Sequence, residues 1–169
     1  MIYLDYAATT PMSEEALFVF NEAQKRFFGN ASSLHEYGTR AKEALQSSRY
    51  AWAHMLGARP EGIFFTSGGT ESNQLAVHSL IDGNKGDHLI TTEVEHSSLY
   101  NIFKLYEEKG YEVTYLPLQQ DGTICLKQLA DAIRPTTILA SIQAVNGETG
   151  FIQAIESIGA LLREKDVLF

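Results

Sequence analysis

The sequence predicts an α/β fold in which a largely parallel sheet is flanked by helices. Short apolar segments alternate with longer segments of helical apolar spacing from residue 63 to the end of the chain. The connections between the apolar segments are long enough to hold the crossover helices that parallel strands require. Glycines at Gly57 and Gly110 follow two of the helical segments, where helices commonly end. Together these observations indicate strands and helices in regular alternation.

The N-terminal part of the chain predicts two helices separated by a loop. Ser13 precedes two glutamates and a run of apolar residues at helical spacing, which is typical of a capped helix start. Small polar residues without a period predict a loop over residues 30–38. A longer amphipathic helix is predicted over residues 39–56, ending at Gly57.

The remaining chain predicts strands and helices in turn, without an internal repeat or a linker. The clearest helix has Leu99, Ile102, Phe103 and Tyr106 at positions i, i+3, i+4 and i+7. In chain order, the predicted elements are a strand at 63–65, a helix at 71–81, a strand at His88–Thr92, a helix at 97–109, a strand at Glu112–Leu116, a helix at 126–133, a strand at 137–143 and a helix at 155–165. Residues 166–169 resemble the opening of a further buried strand. We therefore expect the chain to be a piece of a longer protein.

Composition narrows the class of protein. The chain has 169 residues, of which 44% are apolar, and its 13 basic and 21 acidic residues give a net charge of −8. This apolar content disfavours disorder, and an acidic balance without a basic cluster disfavours a surface for nucleic acid or anionic membrane. Cys125 is the only cysteine, which excludes an intrachain disulfide and fits a reducing compartment. Without a signal or membrane-span pattern, we expect a soluble, cytoplasmic protein.

Small and polar residues follow three of the predicted strands, in segments 66–73, 93–97 and 146–150. Ligands of open α/β sheets bind at the carboxyl ends of the strands. We therefore expect the three segments to share one edge of the sheet and to form the binding site there.

The first of these segments has the features of an anion site. Gly68 and Gly69 allow close approach to the backbone, Thr70 adds a hydroxyl, and the following helix directs free N–H groups and the positive end of its dipole toward a ligand. A phosphate is the natural ligand of such a site. A glycine-rich turn with a Ser/Thr cap explains the same residues, so both interpretations stay open at this point. Neither P-loop spacing nor Gly-x-Gly-x-x-Gly spacing occurs here.

His96 follows a strand and begins a predicted helix, where the helix dipole favours a neutral ring. Such a ring can stack on a flat cofactor or carry a proton, while a helix-capping histidine is the structural interpretation of the same position. The other four histidines form no zinc-type pair, so we predict no metal site. Cys125 has apolar neighbours and is interpreted as a structural cysteine, not a nucleophile.

Five segments resemble the cysteine desulfurase family, which are pyridoxal-phosphate enzymes of the class-V aminotransferase group. They occur in family order and span nearly the whole chain. The segments are residues 3–11 (YLDYAATTP), 29–35 (GNASSLH), 65–73 (FTSGGTESN), 95–96 (EH) and 146–153 (NGETGFIQ). One such match is weak evidence, but five in order identify the chain as a member of this family.

The resemblance implies roles for individual residues. Gly69 and Thr70 match positions that hold the phosphate of pyridoxal 5'-phosphate, and His96 matches the histidine that stacks on its ring and moves protons. Asn146 and Gly147 match the loop that reaches the ring hydroxyl. Many relatives have a second asparagine where this chain has Gly147, so Asn146, a water molecule or the backbone would make that contact here, or it is absent.

The resemblance also implies a fold and an activity. The fold is the N-terminal part of the large domain of a fold-type I pyridoxal-phosphate enzyme, with an N-terminal arm at 1–13 and the large domain at 14–169. The activity converts L-cysteine to L-alanine and passes the sulfur to an enzyme cysteine as a persulfide. Members of the family form homodimers. They deliver sulfur to an acceptor protein for iron–sulfur cluster assembly or tRNA thiolation. No direct contact with nucleic acid or membrane is expected.

Three groups that the family chemistry requires come after Phe169 in the family. They are the lysine that carries the cofactor, the aspartate that pairs with the pyridine nitrogen, and the persulfide cysteine. We therefore expect this chain alone to be inactive. Two other interpretations remain open at this stage: a non-catalytic module that binds a partner or the cofactor, and a selenocysteine lyase or another class-V enzyme.

Overall fold

The computed structural model describes all 169 residues, which divide into two compact units. The first unit is Met1–Phe65 and the second is Thr66–Phe169. None of the helices combines the length and the apolar character needed to cross a membrane.

The first unit contains helix α1 (Glu14–Arg26), helix α2 (Glu36–Leu56) and a 3-10 turn (Pro60–Gly62). The Ser13 hydroxyl accepts a hydrogen bond from the Ala16 N–H at 3.2 Å, which confirms the predicted cap of α1. Helix α2 begins three residues before the predicted start, because Nδ1 of His35 caps it by accepting from the Gly38 N–H at 3.3 Å. The predicted loop over 30–38 is therefore too long. The helix ends at Gly57, which has φ +62, as predicted.

The predicted strand at 63–65 is wrong. Ile63 has extended dihedral angles, but the segment pairs with no strand, and 70% of Phe64 is exposed. A strand is stabilised by the ladder that it forms with a neighbour, and no part of the chain supplies that ladder here. The segment is an extended connection without partners.

The second unit contains a parallel sheet of three strands, β1 (His88–Thr92), β2 (Glu112–Leu116) and β3 (Thr137–Ala140), in the order β2-β1-β3. His88 lies opposite Glu112 in β2 and opposite Thr137 in β3. All five residues of the central strand β1 are buried. The four helices of this unit are α3 (Gly69–Asp82), α4 (Ser97–Glu108), α5 (Leu126–Ala132) and α6 (Ile155–Glu164).

Strand β3 ends three residues before the predicted position. Ser141 still donates to the Ile90 carbonyl at 2.9 Å, but the Gln143 N–H donates to the Glu95 carboxylate and not to a strand. On the outer side of β3, Leu168 forms a parallel bridge with Leu139, so the predicted strand opening near the end of the chain is confirmed.

Helices cover both faces of the sheet. Leu89 of β1 lies in one apolar cluster with residues of α3 and α4, such as Ile81 and Phe103. The next residue, Ile90, lies in a second cluster with residues of α5 and α6, such as Leu129 and Ile158. Because successive strand residues point to opposite faces, β1 contributes to both clusters. The predicted α/β fold class is confirmed.

A histidine at the start of β1 links the three strands. His88 is fully buried, with Nδ1 2.7 Å from the Thr137 hydroxyl and Nε2 2.9 Å from the Thr114 hydroxyl. Burial lowers the pKa of His88 below its usual value, and the positive charge of Arg134 lowers it further. The folded chain therefore holds this ring neutral, whereas the unfolded chain takes up a proton near pH 6.5.

We expect the contribution of His88 to the free energy of unfolding to fall as the pH drops below about 6.5, with a slope of at most about 1.4 kcal/mol per pH unit. His88→Gln removes the titrating ring and should flatten this decline between about pH 6.5 and 5, as measured by urea denaturation at several pH values. His54→Gln changes an exposed histidine and serves as the control. If the native chain and His88→Gln lose stability equally over this range, the buried ring is not the cause.

Candidate functional site

Hydrogen bonds connect the three polar segments at the carboxyl edge of the sheet. Asn73 donates from Nδ2 to the Ser98 hydroxyl at 2.8 Å, which joins the first segment to the start of α4. Val94 accepts from Gln143 Nε2 at 2.6 Å and from Asn146 Nδ2 at 3.3 Å, which joins the second segment to the third. The predicted convergence of the three segments on one edge is confirmed.

The first segment directs unpaired N–H groups outward. Helix α3 begins at Gly69, two residues before the predicted start, and Ser72 is the first of its residues to donate within the helix, to the Gly68 carbonyl at 3.1 Å. The N–H groups of Gly69, Thr70 and Glu71 donate to no group of the chain. No other atom lies within 4 Å of a Cβ placed on Gly68 or Gly69, so a ligand can approach the backbone closely. A phosphate fits this helix end.

The turn before α3 is held by its own side chains. The Glu71 carboxylate accepts from the N–H and the hydroxyl of Ser67, both at 2.6 Å, and the Thr66 and Ser72 hydroxyls lie 2.7 Å apart. The hydroxyl and N–H of Ser67 lower the pKa of Glu71. Because the Glu71 carboxylate already accepts from the Ser67 N–H, this group is not available to an incoming anion. The anion can accept hydrogen bonds from the three free N–H groups and from the Thr70 hydroxyl.

His96 stands at the start of α4, as predicted. Its Nδ1 accepts from the Ser98 N–H at 3.2 Å and lies 2.7 Å from the Ser98 hydroxyl, so the ring caps the helix. The side chain is otherwise exposed, and Nε2 makes no hydrogen bond within the chain. Capping uses one ring nitrogen only, which leaves the other nitrogen and the ring faces available to a ligand.

Glu95 is a buried carboxylate beside His96. It is 8% exposed, and its Oε1 accepts from the Thr92 hydroxyl at 2.8 Å and from the Gln143 N–H at 3.0 Å. Its Oε2 has no partner. Burial raises the pKa of Glu95, although the hydrogen bonds from Gln143 and Thr92 oppose the shift. This carboxyl group holds the end of β1 against the segment that follows β3.

Asn146 is engaged in its own loop. Its Oδ1 accepts from the Glu148 N–H at 2.9 Å, and from the N–H and hydroxyl of Thr149 at 2.9 and 3.0 Å. Gly147 is exposed, and no atom lies near a Cβ placed on it. The role of these two residues beside a cofactor ring stays a prediction.

Two glutamines contribute to the site in ways that the sequence did not indicate. Gln143 bonds to Val94 and Glu95, as described above. Gln153 is 5% exposed, accepts from the Ile124 N–H at 3.0 Å and donates to the Gly122 carbonyl at 2.8 Å, which fixes the chain beside the Asn146 loop. Polar residues beside predicted strand ends are the only signal, and it does not reveal their partners.

The residues present fit a flat cofactor that carries a phosphate. Free N–H groups and a hydroxyl are suited to the phosphate, and the imidazole ring of His96, with one nitrogen free, stands at the same edge of the sheet. No group of three or more His, Cys, Asp or Glu side chains is arranged to hold a metal ion. Cys125 is half-buried, at the start of α5.

Comparison with known proteins identifies relatives over nearly the whole chain. The family model described as Aminotransferase class-V matches residues 2–169. A putative cysteine desulfurase NifS of Bacillus subtilis is 47% identical over 99% of this chain, and the cysteine desulfurase IscS of Dictyoglomus turgidum is 39% identical over 99%. In both cases the match covers 43% of the relative, so the chain spans less than half the length of these relatives.

Solved structures show the same fold. A structure of SspA in complex with cysteine is 39% identical with a TM-score of 0.88, and covers 98% of this chain and 48% of that chain. A NifS-like protein is 30% identical with a TM-score of 0.91, and covers 98% of this chain and 46% of that chain. These likenesses agree with the α/β fold predicted from the sequence.

Proposed function

The chain belongs to the class-V aminotransferase family, and from this premise we propose that it is the N-terminal part of a pyridoxal-phosphate-dependent cysteine desulfurase. The parent protein would convert L-cysteine to L-alanine and transfer the sulfur to an enzyme cysteine as a persulfide. Relatives named cysteine desulfurase at 39% and 47% identity support this reaction, and the cysteine complex of SspA supports L-cysteine as the substrate.

The observation that carries the proposal is the meeting of α3, the His96 segment and the Asn146 loop at one edge of the sheet. Gly69 and Thr70 would hold the phosphate of pyridoxal 5'-phosphate through N–H groups and a hydroxyl. His96 would lie against the ring, with Asn146 and Gly147 near the ring hydroxyl. When bound, the cofactor supplies the electron sink for bond breaking at the substrate carbon.

The chain's own residues contribute binding and orientation. The N–H groups at the start of α3 and the Thr70 hydroxyl offset the negative charge of the phosphate, and the helix dipole adds to this. Glu95 and Gln143 hold the segments that carry His96 and Asn146 at a fixed separation. The site is thus arranged before a ligand enters, which lowers the entropic cost of binding.

The wider assignments are parts of the same proposal. We assign residues 1–13 to an N-terminal arm and residues 14–169 to the large cofactor-binding domain. The parent would act as a cytoplasmic homodimer and deliver sulfur to an acceptor protein. The IscS names among the relatives favour iron–sulfur cluster assembly as the destination, with tRNA thiolation as a second one.

We further propose that this chain alone binds the cofactor without turnover. The lysines of the second unit, Lys85, Lys104, Lys109, Lys127 and Lys165, lie outside the segments that form the site. None of them matches the lysine that carries the cofactor in the family.

Binding of pyridoxal 5'-phosphate to the chain, followed by absorbance and fluorescence quenching, tests the proposal. We expect saturable binding and no alanine formation from L-cysteine. Thr70→Ala removes a donor to a charged group and should weaken binding about tenfold or more.

Ser79→Ala is the matched control, because it removes a hydroxyl from the same helix whose only bond is to the Ala76 carbonyl. Equal affinities of Thr70→Ala and Ser79→Ala would place the phosphate elsewhere. Covalent attachment of the cofactor to one of this chain's lysines after borohydride treatment would contradict the expectation that no lysine of this chain carries the cofactor.

A further inference from the structure

The two ring nitrogens of His96 are not equivalent. The backbone N–H of Ser98 donates to Nδ1 at 3.2 Å. A backbone amide always carries its hydrogen, so Nδ1 must offer a lone pair there. The proton of the neutral ring therefore resides on Nε2.

The Ser98 hydroxyl, like the Ser98 N–H, donates a hydrogen bond to Nδ1 of His96. Its Oγ lies 2.7 Å from Nδ1, and because Nδ1 carries no hydrogen, the hydroxyl must donate. The lone pairs of Oγ then accept, and Asn73 Nδ2 donates to them at 2.8 Å. This direction of the hydrogen bonds also sets the orientation of the Asn73 amide. If the amide oxygen faced Ser98 in place of Nδ2, Oγ of Ser98 would have no donor. Ser98 is 8% exposed, so water competes little with these bonds.

We propose that Ser98 and Asn73 are positioning residues that hold His96 as the neutral Nε2–H tautomer, so that the ring presents a hydrogen-bond donor at Nε2 to the bound ligand. The free Nε2–H is the only ring N–H available to a ligand. Taking up a proton at Nδ1 would require both Ser98 bonds to break. The nature of the ligand rests on the proposed function, but the tautomer does not.

The arrangement also links His96 to the anion-binding turn. Thr70 and Asn73 are three residues apart on α3 and therefore share one face of the helix. Thr70 would contact the phosphate, while Asn73 contacts Ser98 on the next helix. The start of α3 thus sets both the anion site and the hydrogen-bonding state of the histidine.

Long-range ¹H–¹⁵N correlation spectra of the ¹⁵N-histidine-labelled chain at pH 8 test the proposal, with His96→Gln identifying the His96 signals. We expect Nδ1 of His96 to be unprotonated and Nε2 to carry the proton. Ser98→Ala removes one of the two donors to Nδ1 and should lower the ratio of the Nε2–H to the Nδ1–H tautomer about fivefold. Ser98→Thr keeps the hydroxyl and should restore the native ratio.

Asn73→Asp tests the direction of the bonds without touching Ser98. A carboxylate at this position accepts from the Ser98 hydroxyl, which then turns away from Nδ1 and leaves Oγ to accept an Nδ1–H. We expect a larger shift toward Nδ1–H than in Ser98→Ala. Gln74→Asp adds the same charge at the neighbouring, exposed position and should leave the native ratio unchanged.

A proton on Nδ1 in the native chain would overturn the proposal. An unchanged ratio of the two tautomers in Asn73→Asp would also overturn it. This second variant tests the proposal even if Ser98→Ala unfolds and loses its dispersed spectrum. No cofactor is added in these measurements. A failure here is therefore distinct from a failure to bind pyridoxal 5'-phosphate, which would contradict the proposed function.

Discussion

Replacing Phe103 with alanine is expected to lower the free energy of unfolding by about 3–5 kcal/mol. Phe103 is fully buried on α4 and lies in the apolar cluster between α3, α4 and the sheet, with Ile81 and Leu89. The loss has two sources: the ring no longer leaves water on folding, and the packed surroundings cannot fill the cavity that remains. Urea denaturation followed by circular dichroism measures the change.

Two variants separate burial from side-chain identity. Phe18 on α1 is 66% exposed, so Phe18→Ala should change the free energy of unfolding by no more than about 0.5 kcal/mol. Phe103→Leu keeps much of the apolar volume and should lose less than Phe103→Ala. A loss below about 1 kcal/mol for Phe103→Ala would mean that the cluster repacks around the gap. Because α4 carries His96 at its start, such repacking would also disturb the candidate site.

Several elements could be predicted from the sequence because their signals are local. Strands β1 and β2 have the predicted bounds, and the ends of α1 and α2 follow from Ser13 and Gly57. Each of these signals acts within a few residues through capping or side-chain periodicity. The position of His96 at the start of α4 belongs to the same class, since it follows directly from the end of one strand and the beginning of one helix.

The predictions that were wrong concern segments whose structure depends on residues distant in the sequence. The segment at 63–65 has a strand-like composition but no neighbour in the chain, and apolar spacing alone does not reveal whether a ladder exists. Strand β3 ends early because the Gln143 N–H donates to Glu95, which is 48 residues away in the sequence. The tertiary hydrogen bond outweighs the local strand tendency of the residues from 141 to 143.

The features of the candidate site also fall into two groups: those that local sequence signals predict and those that depend on distant residues. The free N–H groups at the start of α3 could be predicted from a glycine-rich turn that precedes a helix. The turn formed by the Asn146 side chain could have been recognised too, because an asparagine followed by glycine commonly bonds to the backbone just after it. The buried position of Glu95 could not, since nothing in the sequence around it shows that the chain after β3 would cover it.

Glu95→Ala is expected to lower the free energy of unfolding by about 2–3 kcal/mol, because the Thr92 hydroxyl and the Gln143 N–H lose their shared acceptor inside the fold. The same change should loosen the link between the His96 and Asn146 segments. Glu95→Gln keeps an acceptor oxygen and removes the charge, so it should retain most of the stability. Equal losses in the two variants would mean that the acceptor is not what stabilises this region.

The pH dependence of the free energy of unfolding in the Glu95 variants shows how the charge of this carboxylate affects stability. Burial raises the pKa of Glu95, so the unfolded chain releases this proton near pH 4.5 while the folded chain still holds it. The Glu95 contribution to stability is therefore complete below about pH 4.5 and is lost as the pH rises toward the pKa of the folded state. Glu95→Gln should remove this loss. Glu71→Gln is the opposite control, because hydrogen bonds lower the pKa of Glu71 and its contribution is lost as the pH falls.

The measurement must separate Glu95 from His88, because their pH ranges overlap. His88 reduces stability as the pH falls below about 6.5, whereas Glu95 reduces it as the pH rises above about 4.5, so the two slopes offset each other in the native chain. In a His88→Gln background, the Glu95 slope stands alone, and adding Glu95→Gln should flatten it. A slope that survives in the double variant would have to come from a group other than the carboxylate that joins the ends of β1 and β3.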